Sequence, residues 1–134
     1  DLPLDEYLLN YSEIFNKYDI YNILLVTPQT TRERIEQIDN ATRGFLYIVS
    51  SASTTGAGKR AEDFNISYFK RIREMKLKNP GLIGFGISDR ATFGNACKYA
   101  NGAIVGSAFT ELLKDNKDIK SAVKGFVNEI RGLT

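Results

Sequence analysis

Apolar positions along the 134-residue chain follow two rhythms that alternate. Four short and nearly continuous apolar runs, at residues 20–26, 45–49, 82–87 and 102–105, are separated by longer stretches with helical spacing. A run such as 20–26 is too short for most helices and lacks the alternation of a half-wet strand, so it reads as a strand covered on both faces. Ahead of it, Leu8, Tyr11, Phe15 and Tyr18 recur at helical spacing, with Tyr7 and Ile14 beside them. They predict a helix over 4–18, with Pro3 tolerated at its start and Asp5 and Glu6 suited to its positive end. Thr30 with Glu33 forms a capping-box pattern for a helix that holds Ile35 and Ile38 and stops near Gly44. Ile66, Phe69, Ile72 and Met75 mark the next helix, which ends before Asn79-Pro80-Gly81. Ser88 or Asp89 caps a helix carrying Phe93, Ala96, Cys97 and Ala100. Ser107 opens a short helix, and Asp115-Asn116-Lys117-Asp118 reads as a turn. Ile119, Ala122, Val123, Phe126, Val127 and Ile130 then give the clearest amphipathic pattern in the chain.

Strands that alternate with helices imply an α/β fold with a parallel sheet and right-handed crossovers. Two arrangements satisfy that. One is a small doubly wound sheet. The other is four strands of a (β/α)8 barrel, of which eight strands take about 250 residues. Asp1-Leu2-Pro3 reads as the exit of an earlier strand, and glycine-rich exits on two successive late strands are followed by a short extra helix. Both features favour the C-terminal half of a barrel, strands five to eight, as a single domain over residues 1–134 that lacks the N-terminal half.

Composition narrows the chemistry. At 43% hydrophobic and 25% charged, the chain has ordinary globular balance. Its net charge is +2, with both signs interspersed, so no charge block points to nucleic acid or an acidic membrane surface. The absence of histidine excludes a histidine triad or a histidine metal site. Cys97, the single cysteine, excludes an internal disulfide and fits a reducing, cytoplasmic setting; on its helix it reads as a packed small hydrophobe.

The candidate chemistry sits at strand exits. Gly102-Ala103-Ile104-Val105-Gly106-Ser107 reads as strand, glycine turn and helix start. Such a turn leaves N–H groups free at a positive helix end, where an anion such as phosphate is welcome. Gly84-Phe85-Gly86 and, after the strand at 45–49, Thr55-Gly56-Ala57 offer further glycines at strand ends. Glycine matters there because a side chain would hold ligand oxygens away from the backbone. Residues 50–62, rich in Ser, Thr, Gly and Ala, have few apolar anchors and are expected to be mobile. Simpler readings stand beside these: Gly106-Ser107 as a turn with a serine cap, Thr55 as a polar loop group, and Tyr47 and Phe85 as core aromatics.

Gly44-Phe45-Leu46-Tyr47-Ile48-Val49-Ser50 with Thr55-Gly56-Ala57, Gly84-Phe85-Gly86-Ile87-Ser88 and Gly102-Ala103-Ile104-Val105-Gly106-Ser107-Ala108 together resemble the tryptophan synthase alpha subunit family. Asp1-Leu2-Pro3 and Thr27-Pro28 match two further strand exits, so the likeness runs the length of the chain. The resemblance implies a (β/α)8 lyase that cleaves indole-3-glycerol phosphate to indole and glyceraldehyde 3-phosphate. It implies a beta-subunit partner, and neither cofactor nor metal. It places phosphate binding at Gly56, Gly86, Gly106 and Ser107, and indole contacts at Tyr47 and Phe85. Thr55 falls on the closing loop, while Asp1 and Pro3 fall in a loop that meets the beta subunit. The family's catalytic Glu and Asp lie on earlier strands and have no counterpart here, so the segment alone is expected to be inactive. A sugar-phosphate isomerase or epimerase barrel, and a complete flavodoxin-like binding domain, remain the competing readings.

Overall fold

The computed structural model describes residues 2–50, 66–114 and 116–133. Helix α1 (Leu4–Glu6) runs through a π-helical turn (Tyr7–Tyr11) into α2 (Ser12–Lys17). After these come β1 (Leu24–Val26), α3 (Arg32–Ala41), β2 (Leu46–Val49), α4 (Ile66–Glu74), β3 (Gly81–Gly84) and α5 (Arg90–Cys97). β4 (Gly102–Ala103), α6 (Ser107–Lys114) and α7 (Ile119–Arg131) complete the described elements.

All four strands pair in parallel, in the order β1-β2-β3-β4. That order separates the two expected arrangements. A doubly wound sheet reverses its strand order at a switch point and so carries helices on both faces. Here the order never reverses, and crossovers of one hand place successive helices on one side. The buried residues agree. Leu24, Val26, Leu46, Ile48 and Ile83 join Leu4, Tyr7, Ile35, Ile38, Tyr68, Phe69, Ile72, Ile87 and Ala96 in one cluster. Successive strand residues point to opposite faces, so Leu25, Tyr47 and Leu82 share the other face. Leu25 on that face is 37% exposed. The expectation of a first strand covered on both faces is therefore corrected, because among the described residues only one face meets helices.

Three local differences have clear causes. The expected strand over 20–26 shortens to Leu24–Val26 because Asn22 is buried and bonds elsewhere. Its Nδ2 donates to the Ala41 carbonyl at 3.1 Å and its Oδ1 accepts from the Arg43 N–H at 3.1 Å. The expected helix over 4–18 contains the π turn, where the Ser12 N–H donates to the Tyr7 carbonyl. The extra residue in that turn rotates the helix face. Leu4 and Tyr7 are buried and Tyr7 meets Phe15 edge-on at 5.4 Å, whereas Leu8, Tyr11 and Tyr18 are exposed. The cap of α3 is Thr31, which accepts from the Arg34 N–H, rather than Thr30, whose hydroxyl accepts from the Thr27 N–H.

Two side chains lock connections at opposite ends of the sheet. The Tyr68 hydroxyl donates to the Val26 carbonyl at 2.8 Å, and burial pushes its phenol well above the usual range. Asp39, buried at the end of α3, accepts from the N–H groups of Lys78 and Asn79 and from the Asn79 side chain. That clamp fixes the loop entering β3.

Candidate functional site

In a parallel sheet every C-terminal strand end lies on the same edge, and loops there gather groups from several strands. β3 and β4 are neighbours, so their exits, Phe85-Gly86 and Gly106-Ser107, leave side by side. β2 ends beside β3 at Val49, and Ser50 follows it.

At the β3 exit the backbone turns sharply. Phe85 has φ +64° and Gly86 φ +72°, so the strand ends at Gly84 and not at residue 87 as the apolar run suggested. A left-handed conformation is free for glycine and costs roughly 1–2 kcal/mol for another residue. Ser50 holds Phe85 there. Its hydroxyl donates to the Phe85 carbonyl at 2.6 Å, and its N–H donates to the Gly84 carbonyl at 3.2 Å. Ser50 is itself buried.

This turn brings Phe85 against Tyr47, with ring centroids 5.6 Å apart and planes at 58°. That is the tilted contact aromatic pairs favour. Phe85 is 40% exposed, and Tyr47 is half-buried on the sheet face away from the helix layer. Burial raises the Tyr47 phenol above its ordinary value, so the ring presents a neutral, amphipathic wall. Gly84 leaves the room this ring needs, since a Cβ there would fall within it.

At the β4 exit, the Gly106 carbonyl accepts from the Phe109 N–H at 3.0 Å and the Thr110 N–H at 3.1 Å. Gly106 thus stands at the cap position of α6 and Ser107 is the first helical residue, its hydroxyl making no cap bond among the described residues. The simple reading of Ser107 as a side-chain cap is corrected. The N–H groups of Ser107 and Ala108 precede the first helical bond and have no acceptor among the described residues. Among the described residues, a Cβ on Gly106 would meet nothing within 4 Å, and one on Gly86 would meet only the Ser50 hydroxyl, at 3.9 Å. Both glycines border open space, into which a ligand oxygen can approach the backbone.

Of the residues singled out from sequence, the structure thus brings Tyr47 and Phe85 into contact and sets Gly86 and Gly106-Ser107 on adjacent exits. Pro3 is exposed and precedes α1 in extended conformation. Asp1, Thr55, Gly56 and all but Ser50 of the stretch expected to be mobile, 50–62, lie outside the described residues. Asp89, rather than Ser88, caps α5, accepting from the Thr92 N–H at 2.8 Å. Those bonds to Thr92 hold its carboxyl below the usual range. Cys97 is exposed, which corrects its reading as a packed residue, and partial burial still pushes its thiol up. It borders a cavity of about 300 Å³ with Lys98, Asn79 and Asn101, at the strands' N-terminal ends, remote from the glycine turns. Sequence reasoning missed Ser50 and Gly84 as parts of the site. Their only signals were a serine closing an apolar run and a glycine inside one.

Among the described residues no three His, Cys, Asp or Glu side chains gather as metal ligands, and no helix is long and apolar enough to cross a membrane.

The family model for the tryptophan synthase alpha chain matches residues 1–132. The chain is 50% identical over 130 residues to the tryptophan synthase alpha chain of Flavobacterium psychrophilum, covering 97% of this chain and 51% of that one. It is 47% identical over 134 residues to that of Christiangramia forsetii, covering 100% and 52%. Among solved structures, the tryptophan synthase complex of Pyrococcus furiosus matches with a TM-score of 0.76 at 29% identity, covering 98% of this chain and 52% of that chain. A second structure from that organism, of the tryptophan synthase a2b2 complex, matches with a TM-score of 0.75 at 31% identity, covering 98% and 53%. The chain spans about half the length of the curated relatives it matches. The expected half-barrel of parallel strands is borne out. The chain belongs to the tryptophan synthase alpha chain family.

Proposed function

We propose that this chain supplies the phosphate clamp and part of the indole slot of a tryptophan synthase alpha-type lyase. The observation that carries this is the pairing of two features on one sheet edge. Free helix-start N–H groups and open glycines stand at the exits of β3 and β4, and the tilted Tyr47–Phe85 pair stands beside them. An anion and a flat apolar ring are the two ends of indole-3-glycerol phosphate.

In this reading, Gly86, Gly106 and Ser107 present backbone N–H groups to the phosphate, where the α6 dipole adds to their attraction. Tyr47 and Phe85 pack the indole ring, which excludes water around the bond that breaks. Gly56 contributes a further phosphate contact, and Thr55 has a supporting role toward a catalytic carboxylate. Cleavage needs an acid to protonate the indole ring and a base to take the glycerol hydroxyl proton. Those two carboxylates belong to the barrel's N-terminal half, so residues 1–134 alone bind without turning over. Products are indole and glyceraldehyde 3-phosphate. Asp1 and Pro3 lie toward the beta subunit, which receives the indole, and the enzyme works in the cytoplasm.

The test joins this chain to the N-terminal half of the Flavobacterium psychrophilum relative's barrel. Release of indole from indole-3-glycerol phosphate is expected from the joined protein and not from residues 1–134 alone. Isomerisation of a sugar phosphate without indole release would overturn the reading.

A further inference from the structure

The Phe85 carbonyl is turned toward β2, where Ser50 donates to it at 2.6 Å. No peptide bond among the described residues is cis, and in a trans peptide the C=O and the following N–H point in opposite directions. The Gly86 N–H therefore points away from β2. β3 lies between β2 and β4, so that direction is the side on which Gly106 and Ser107 leave the sheet. Among the described residues the Gly86 N–H donates to nothing. Without the Ser50 hydroxyl, nothing described holds the Phe85–Gly86 peptide in this orientation. Rotation of that one plane would aim a carbonyl oxygen, and not an amide, toward β4.

We propose that Ser50 is a positioning residue for phosphate recognition: its hydroxyl fixes the plane of the Phe85–Gly86 peptide and so aims the Gly86 amide at the anion. Ser50 acts through that peptide and does not touch the ligand. The inference rests on the anion site proposed above and adds the device that sets its polarity.

Its consequence is selective. Losing the hydroxyl weakens the phosphate-bearing ligand more than the apolar one, because indole reads the rings and not the amide. The experiment uses the alpha chain completed with the N-terminal half of the relative's barrel and titrates glyceraldehyde 3-phosphate, inorganic phosphate and indole separately. Ser50→Ala is expected to weaken both phosphate ligands about tenfold, the scale of one hydrogen bond to a charged group. Indole affinity is expected to stay within about twofold, and Ser50→Thr to restore phosphate binding. Ser50→Thr against Ser50→Val, alike in shape and different in the hydroxyl, gives the same comparison where the alanine variant does not fold. Equal weakening of indole and phosphate, or unchanged phosphate binding, overturns the positioning role while leaving the anion site standing. Failure of the unsubstituted protein to bind either phosphate ligand overturns the anion site and this inference together.

Discussion

The Tyr47 ring occupies the space that a Cβ on Gly84 would require. Tyr47 sits on β2 and Gly84 closes β3, one strand away, on the sheet face that the helices leave uncovered. The glycine thus serves packing, and it decides where the aromatic wall stands. Gly84→Ala is expected to push the ring aside, costing about 1–3 kcal/mol in urea denaturation and abolishing indole binding in the completed barrel. In a Tyr47→Ala background the same substitution is expected to cost little, a coupling of about 1 kcal/mol or more. Equal cost in both backgrounds would show that the ring is not what Gly84 accommodates.

Gly106 differs from Gly84, since no described residue stands within 4 Å of its Cβ position. Gly106→Asp should therefore fold with little change in thermal stability. Its carboxylate, however, would sit where the α6 amides welcome an anion. Loss of glyceraldehyde 3-phosphate binding with an unshifted melting temperature is the expected pair of results in the completed barrel. Normal binding by that variant would remove Gly106-Ser107 from the clamp.

Asp89 gives a pH dependence with a definite sign. Its carboxyl lies below the usual range because the Thr92 N–H and hydroxyl bond to it. A carboxyl whose pKa is lower in the folded state contributes stability above its unfolded value, near pH 3.9. That contribution is lost as pH falls through the lower folded value. Asp89→Ala is expected to cost about 1 kcal/mol at pH 7, the scale of a helix cap. The gap between parent and variant should close below about pH 3.9, read by denaturation at each pH. A gap that persists in acid would assign the loss to something other than the ionised cap.

The uncovered sheet face predicts association. Leu25 is exposed on it, and β1 and β4 each pair on one side only among the described residues. Unpaired parallel edges and an exposed apolar face favour pairing with another chain. Residues 1–134 purified alone should elute in size-exclusion chromatography ahead of a monomer. Joined to an N-terminal half-barrel, they should elute as one compact species. A stable, well-behaved monomer of the 134-residue chain would show that the uncovered face and the open strand edges do not drive association.

The alternation of strand and helix was legible because it depends on neighbours close in sequence. Apolar runs at 45–49 and 82–87, and the stripe from Ile119 to Ile130, have periods that a single segment displays. The glycines at strand exits were legible for the same reason, as was the family, whose motifs follow one another in order. The ends of elements were less so. Asn22 shortens β1 by bonding to Ala41 and Arg43, partners about twenty residues away. The π turn at Tyr7–Tyr11 rotates the first helix so that Leu8 and Tyr11 face out, which no regular spacing can announce.

By itself, the amino-acid sequence determined that four parallel strands alternate with helices, and that glycines and a helix start gather at their ends. Only the tertiary structure decided that the strand order never reverses, which turns one face of the sheet away from the helices and rules out a doubly wound sheet. It also decided that Ser50 reaches the Phe85 carbonyl and that Gly84 yields to Tyr47. Those relationships join residues some 35 positions apart. Periodicity reports what each segment prefers, whereas such contacts exist only once the chain has closed on itself.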